Sequence, residues 1–135
     1  MKIAFLTPEY PHPKTGKAGG IGTSILSLAK ALTLMGHTIS ILVYGQETDD
    51  YFTDEGIHFY KIKNIKVKGL SLLFTQKKVE RLLNSLYKKG KIHLVEAPDW
   101  TGFTAFIKPQ CPLIIRENGS DTYFCHLDQR PVKFK

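Results

Sequence analysis

The hydrophobic pattern of this chain changes period several times, and each change marks a predicted element. Short runs of apolar and β-branched residues are typical of strands that are buried inside a sheet. They occur at residues 2–7, 38–44, 93–97 and 113–117. At residues 23–35 and 72–89 apolar residues recur every three or four positions, which predicts helices with one buried face. Strands that alternate with helices predict a mainly parallel sheet, covered by helices on both faces.

Both long helices are predicted to end at a glycine, the residue that most readily adopts the left-handed conformation that closes a helix. Gly36 follows the first helix and Gly90 follows the second. The predicted buried stripes are Ile25, Leu28, Ala29 and Leu32 in the first helix, and Val79, Leu82, Leu83, Leu86 and Tyr87 in the second. A short helix is also predicted at residues 101–107, before Pro109.

The stretch between the second strand and the long second helix is less regular. Residues 46–56 are rich in acids and predict a loop. Residues 57–67 alternate in short strand-like pieces. The pairing of these pieces within the sheet stays open.

The composition fits a single domain over residues 1–135, because a chain of this length with 42% hydrophobic residues can form one core. No apolar run reaches the roughly 18 residues that cross a bilayer, and the run after Met1 is too short for a signal peptide. We therefore expect a cytoplasmic protein. Cys111 and Cys125 match no zinc-binding pattern, even with His126 and Asp128 beside the second, so we expect reduced thiols and no metal.

Positive charge is concentrated in one segment. The chain has a formal net charge of +7, but residues 61–91 hold ten basic residues against one acid, Glu80, a local charge of +9. The basic residues are Lys61, Lys63, Lys66, Lys68, Lys77, Lys78, Arg81, Lys88, Lys89 and Lys91. Such a segment can form a solvated helix face, or it can make peripheral contact with a membrane or another anionic surface. Nucleic acid is not an expected partner, since no aromatic-rich RNA motif or Cys/His finger accompanies the charge.

Unusual residues follow three of the predicted strands, at residues 8–22, 96–100 and 118–121. Ligands of parallel sheets collect outside the carboxyl ends of the strands, so we expect these three loops to face one crevice. The first loop carries Gly19, Gly20 and Gly22 directly before a helix. The N-terminal amides and positive dipole end of that helix suit a phosphate or another anion.

The glycine loop matches neither common nucleotide-binding motif. A Walker-type loop needs Lys and then Ser or Thr after its last glycine, but Gly22 is followed by Thr23 and Ser24. A dinucleotide-binding loop that began at Gly20 would need a third glycine where Ile25 stands. The glycines could instead serve only to let the helix pack closely against a strand.

Three stretches of the chain carry a family resemblance. The first joins Thr7-Pro8-Glu9-Tyr10-Pro11 to the glycine loop, Leu28-Ala29-Lys30-Ala31-Leu32 and Gly36-His37. The others are Val95-Glu96-Ala97-Pro98-Asp99-Trp100-Thr101-Gly102 and Ile114-Ile115-Arg116-Glu117-Asn118-Gly119-Ser120-Asp121. Together they resemble the amino-terminal domain of glycogen-synthase-like, retaining glycosyltransferases of the two-domain GT-B type. The resemblance covers almost the whole chain and implies a Rossmann-like, three-layer α/β/α domain.

The resemblance implies a division of labour between two domains. The amino-terminal domain receives a glycan or lipid-linked acceptor, while a carboxyl-terminal domain, expected to be absent from these 135 residues, holds most of the nucleotide-sugar donor. Gly19, Gly20, Ile21 and Gly22 would lie beside the donor phosphates, where backbone amides can stabilise charge on the leaving diphosphate. No further cofactor is implied. The chain alone is expected to bind donor poorly and to transfer nothing.

The chain departs from the family pattern after its last strand. Members often carry a His-Gly pair there, whereas this chain has Asn118 before Gly119. An amide forms hydrogen bonds but cannot act as an acid or a base at neutral pH. Asn118 is therefore the catalytic candidate only as a residue that could hold a sugar hydroxyl. It could equally indicate a different sugar or a weakened enzyme.

Further residues are candidates for binding the acceptor: Glu9, Glu96, Asp99, Trp100, Arg116, Ser120 and Asp121. Glu9 could instead cap or brace the loop, and Trp100 could belong to the core rather than stack on a sugar ring. His12 could contact the acceptor or be a solvated loop residue. The alternative to a glycosyltransferase domain is a freestanding nucleotide- or anion-binding module without transfer chemistry.

Overall fold

The computed structural model describes residues 1–118 and 127–129 of the chain. These residues form one six-stranded sheet, two long helices and a 3₁₀ turn. In chain order the elements are β1 (Lys2–Thr7), α1 (Gly20–Leu34), β2 (Thr38–Gln46), β3 (Asp50–Asp54), β4 (Ile57–Lys63), α2 (Ser71–Lys88), β5 (Leu94–Pro98), the 3₁₀ turn (Trp100–Gly102) and β6 (Leu113–Arg116). The predicted α/β class is confirmed, with the Rossmann-like arrangement of a mainly parallel sheet.

The strands lie in the order β3-β4-β2-β1-β5-β6, with β1 near the centre. Neighbouring strands run parallel, so that Phe5 of β1 pairs with Ile41 of β2 and with Glu96 of β5. The exception is β3, which pairs antiparallel with β4 at one edge. The chain leaves β1 toward β2 on one side and returns from β4 through α2 to β5 on the other. Strand order therefore reverses between β1 and β5, the place where open parallel sheets form their ligand crevices.

Two separate cores cover the two faces of the sheet. Successive side chains of a strand point to opposite faces, so neighbouring residues of β1 pack against different helices. On the α1 side the core includes Phe5, Ile25, Ala29, Ile39 and Ile41. On the α2 side it includes Ala4, Leu6, Val79, Leu83 and Leu86. One member of the predicted stripes is wrong: Tyr87 is exposed, because the buried face of α2 is centred on other positions.

The acidic stretch predicted as a loop contains a strand. β3 pairs with β4 through a two-residue turn at Glu55 and Gly56, both of which have positive φ. Positive φ at both central positions is the signature of the tight turns that match the twist of a hairpin. The acids Asp50 and Asp54 lie at the two ends of this edge strand. Charged side chains at an edge discourage pairing with another chain, which explains why the strand carries so little hydrophobic signal.

Two other boundaries differ from the prediction. The predicted short helix at 101–107 is wrong: only the 3₁₀ turn at Trp100–Gly102 forms, with Thr101 at φ 55, a left-handed conformation that interrupts a helix. α1 begins at Gly20, three residues before its predicted start, so part of the glycine loop is the first helical turn.

Among the described residues, no helix has the combination of length and hydrophobicity that is needed to cross a membrane.

Gly22 marks the closest approach between α1 and the residues that leave β1. A Cβ atom added at Gly22 would lie 2.6 Å from the Cβ of Ala18 and 3.0 Å from the backbone oxygen of Glu9. At Gly20 an added Cβ would meet no atom within 4 Å. The two glycines therefore differ: the fold requires the one at position 22 and leaves open space at position 20.

We expect Gly22→Ala to lower the free energy of unfolding by about 1–3 kcal/mol, because the new methyl group has no room without a backbone shift. Gly20→Ala should leave stability unchanged or raise it slightly, since alanine favours helix and meets open space. Urea denaturation of both variants measures the difference. Equal stability of the two variants would contradict the close approach at Gly22.

Tyr10 makes stability sensitive to alkaline pH. Burial raises the pKa of Tyr10 to about 12 from 10.0, with smaller contributions from the Glu55 and Asp54 carboxylates. The folded phenol therefore stays protonated while the unfolded one ionises, so stability is intact below pH 10 and is lost as the pH rises toward 12. We expect Tyr10→Phe to reduce this loss by roughly 1–2 kcal/mol in unfolding measurements over that range. Parallel pH profiles for both proteins would contradict the assignment.

Candidate functional site

A cavity of about 530 Å³ opens at the carboxyl edge of the sheet, beside the reversal of strand order. Its lining residues are Pro8, Glu9, Gly19, Gly20, Ile21, Trp100 and Asn118. They come from the loop after β1 and the first turn of α1, the turn after β5 and the segment after β6. The structure thus brings the three strand-end loops together at one crevice.

Glu9 lies over the first turn of α1. Its carboxylate Oε1 accepts a hydrogen bond from the Gly22 N–H at 3.1 Å, and the same oxygen would lie 3.3 Å from a Cβ at Gly19. The N-cap residue of α1 is Gly19, which has no side chain to satisfy a helix amide, so Glu9 supplies the acceptor from outside the helix. One of the two roles considered for Glu9 from the sequence, that it caps or braces the loop, is therefore observed.

Two amides of the first turn remain without a protein acceptor among the described residues. These are the N–H groups of Gly20 and Ile21, and both residues line the cavity. The positive end of the α1 dipole adds to their attraction for an anion. The glycine loop is not wholly open, however, because Glu9 already uses the Gly22 amide. An incoming anion that reaches this corner therefore meets a carboxylate that must move aside or share the donors.

The loop between β1 and α1 is anchored at several points. The Thr7 hydroxyl donates to the backbone oxygen of Glu9 at 2.8 Å, and the Thr15 hydroxyl donates to that of Tyr10 at 2.7 Å. Tyr10 is buried in the α1-side core. His12 forms a 3.0 Å contact from Nε2 to a carboxylate oxygen of Asp54, so it holds the loop against the β3–β4 hairpin rather than lying free in solvent. The site is built on a fixed loop.

Trp100 forms an aromatic wall of the cavity. It lies in the 3₁₀ turn after β5 and is 36% exposed, so its ring is not part of either core. The left-handed conformation of Thr101 directly follows it. An exposed aromatic face at a cavity wall can pack against the apolar face of a sugar ring or a base.

A second group of polar residues links the ends of β5 and β6. The Arg116 guanidinium donates from Nε to Glu96 Oε1 at 2.5 Å, and this hydrogen bond raises the already high pKa of Arg116. Asp99 Oδ1 accepts the Asn118 N–H at 3.1 Å, while the Asp99 N–H donates to the Arg116 backbone oxygen at 3.1 Å. Glu96 and Arg116 thus form an ion pair with each other, and Asp99 holds the backbone of Asn118 in place through a hydrogen bond.

The predicted site residues fall into four groups. Lining the main cavity are Glu9, Gly19, Gly20, Ile21, Trp100 and Asn118. Glu96 and Arg116 line a much smaller neighbouring pocket, and Asp99 supports Asn118. Gly22 is buried and is not a lining residue of either pocket. Ser120 and Asp121 lie outside the described residues, as do Cys125 and His126.

Sequence reasoning did not single out Pro8 and Ser24 as lining residues. Pro8 lines the main cavity and Ser24 the smaller pocket. Their position directly after β1 and in the first turns of α1 was the available signal. Within the two described ranges, no group of three or more His, Cys, Asp or Glu side chains could hold a metal ion.

We expect Glu9→Ala to lower the free energy of unfolding by about 1–2 kcal/mol, because it removes both the acceptor of the Gly22 amide and a negative charge at the positive end of α1. Glu9→Gln keeps an acceptor and should cost about half as much. Glu47→Ala, at an exposed position away from the site, is the control. If thermal unfolding finds Glu9→Ala as stable as Glu47→Ala, Glu9 does not cap α1.

No protein-family model matches the chain. The chain is similar to a protein of Methanocaldococcus jannaschii named as an uncharacterized glycosyltransferase, with 28% identity over 102 residues. The aligned region covers 74% of this chain and 25% of the relative, so the chain spans about a quarter of that protein's length. The similarity supports a glycosyltransferase-like role for this α/β domain.

Proposed function

We propose that this chain is the acceptor-side domain of a glycosyltransferase that moves a sugar from a nucleotide-sugar donor to a glycan or lipid-linked acceptor. The observation that carries the proposal is the cavity where the aromatic face of Trp100 and the unpaired amides of α1 line one space. A transferase needs a surface for a sugar ring and donors for a leaving diphosphate in close proximity. The similarity to a protein named as an uncharacterized glycosyltransferase supports a glycosyltransferase-like role.

The proposal gives the lining residues separate roles. Trp100 packs against the acceptor ring, and Asn118 holds one of its hydroxyl groups through its amide. The amides of Gly20 and Ile21 face the donor diphosphate and stabilise the charge that develops there. Glu9 caps α1 until the donor arrives and then binds acceptor hydroxyls instead. Glu96, Arg116 and Asp99 keep Asn118 and the 3₁₀ turn in position.

Most of the donor site lies, in this proposal, in a second domain that is not part of residues 1–135. The described residues around the cavity offer one paired cation, Arg116, and no free Lys or Arg among those lining it. A nucleoside diphosphate carries several negative charges, and two amides and a helix dipole alone bind them weakly. The retaining, GT-B character of the whole enzyme belongs to the same proposal.

The alternative is a freestanding nucleotide- or anion-binding module. The unpaired amides at the start of α1 favour it, because they would suit a phosphate without any transfer chemistry. The two proposals differ in what the isolated chain binds. A module must bind nucleotide tightly by itself, whereas an acceptor-side domain needs to recognise only sugar.

Trp100 provides the test, because it is the only tryptophan of the chain and lines the cavity. We expect a panel of neutral oligosaccharides to include a ligand that shifts its indole resonance saturably, while UDP and UDP-glucose bind no tighter than about 1 mM. Trp100→Ala removes that resonance, so calorimetric titration compares the variants; in it, Trp100→Ala should weaken oligosaccharide binding about tenfold. The control is Phe106→Ala, which removes an exposed aromatic residue that does not line the cavity.

Micromolar binding of UDP by the chain alone, with no oligosaccharide response, would favour the freestanding module instead. A second readout is transfer itself. Incubation of the chain with UDP-glucose and the same oligosaccharides should yield no product, and measurable turnover would contradict the division of labour between two domains.

A further inference from the structure

The surface at the start of α2 exposes an unusual number of large apolar side chains. We call this group the apolar tip: Val67, Leu70, Leu72, Leu73 and Phe74, each between 41% and 55% exposed. Single exposed apolar residues are normal on a protein surface, but a group of them close together is typical of a surface that contacts a ligand, another protein or a membrane. The tip needs a partner that offers apolar contact.

Cations surround the apolar tip and continue along the outer side of α2. Lys66 and Lys68 are exposed beside the tip. Lys77, Arg81 and Lys88 follow at helical spacing on the side opposite the buried face; we call them the basic stripe. Arg81 and Lys88 also line a shallow depression with Asn84, Ser85 and Lys89.

Only part of this charge is used by the fold. Lys78 pairs with Asp49 at 2.6 Å and donates to the backbone oxygen of Lys63, so it holds α2 against the end of β4. Lys77 pairs with Glu80 at 3.1 Å. Arg81 and Lys88 have no ion-pair partner among the described residues. The fold therefore leaves cations along the outer side of α2 without an ion-pair partner among the described residues.

We propose that this surface binds an anionic lipid bilayer, with the apolar tip among the headgroups and the basic stripe against anionic lipids. Such a bilayer satisfies both halves of the surface, since it offers apolar contact and dispersed negative charge. A protein domain seated on the same surface would bury cations that lack partners here. A nucleic acid would match the cations and leave the tip in water. The proposal rests on this surface alone and not on the proposed transferase function.

The position of the tip agrees with a membrane-bound acceptor. The Ile65 N–H donates to the Thr75 hydroxyl at 2.9 Å, which places the start of α2 beside the carboxyl end of β4. Lys2 Nζ donates to the Gly90 backbone oxygen at 2.6 Å, which places the end of α2 beside the start of β1. The tip thus lies at the same edge of the sheet as the cavity, a position compatible with the lipid-linked acceptor of the proposed function.

Co-sedimentation of the chain with vesicles tests the proposal. Binding is expected to vesicles of phosphatidylcholine with roughly a third phosphatidylglycerol, and to weaken as salt rises. Arg81→Gln with Lys88→Gln should lower the partition coefficient about 25-fold, since each cation near an anionic surface contributes about fivefold. Phe74→Ser should lower it about tenfold. The matched controls lie on the α1 side of the sheet: Lys17→Gln in the loop before α1 with Lys30→Gln on α1 for charge, and Leu34→Ser on α1 for an exposed apolar residue.

The controls should retain binding within about twofold. Absence of binding to the anionic vesicles would overturn the proposal, and so would equal binding to pure phosphatidylcholine. Losses in the control variants as large as those at the stripe would overturn it too, by showing that net charge and not this surface is responsible. Loss of oligosaccharide binding at Trp100 would leave the proposal untouched, so the two proposals fail separately.

Discussion

The contact between the first turn of α1 and the residues that leave β1 is the constraint on which the site depends. Gly22 lies so close to Glu9 that a side chain has no space between them, and the Gly22 N–H is bonded to the Glu9 carboxylate. This contact fixes the start of α1 at the carboxyl edge of the sheet. It also determines which amides are already bonded and which face the cavity. The rest of the cavity is arranged around that corner.

The two faces of the sheet perform different tasks in this account. On the α1 side, a long anchored loop and the start of the helix form one wall of the cavity, and the ends of β5 and β6 form the other. On the α2 side, the helix covers the core with one face and presents an apolar and basic surface with the other. Because α2 runs antiparallel to the strands it covers, both functional surfaces meet the same edge of the sheet.

The sequence predicted the parallel core well because buried strands and amphipathic helices leave strong periodic signals, as β2 and α2 do. It missed β3, since an edge strand with acids at both ends owes its conformation to pairing with β4 and not to its own pattern. It also predicted a short helix at residues 101–107, whose first residue, Thr101, has a left-handed conformation that no pattern indicates.

The sequence was sufficient to predict which loops form the candidate site, but it did not predict the hydrogen bonds and ion pairs among the residues of the site. The chain order of the strands suffices to place three loops together, but side-chain partners depend on distances that no pattern encodes. Thus the sequence identified Glu96 and Arg116 as separate candidates, whereas they form one ion pair. In the same way, the carboxylate of Glu9 proved to occupy part of the loop that was expected to receive an anion.

The most direct test of the account follows the amide resonances of the α1 first turn in the ¹⁵N-labelled chain during titration with inorganic pyrophosphate. The account predicts that the Gly20 and Ile21 amides shift saturably, and that Glu9→Gln strengthens the response because the competing charge is removed. Resonances that stay still in both proteins, or that shift no more than amides of the distant helix end, would contradict an anion-receptive corner at the start of α1.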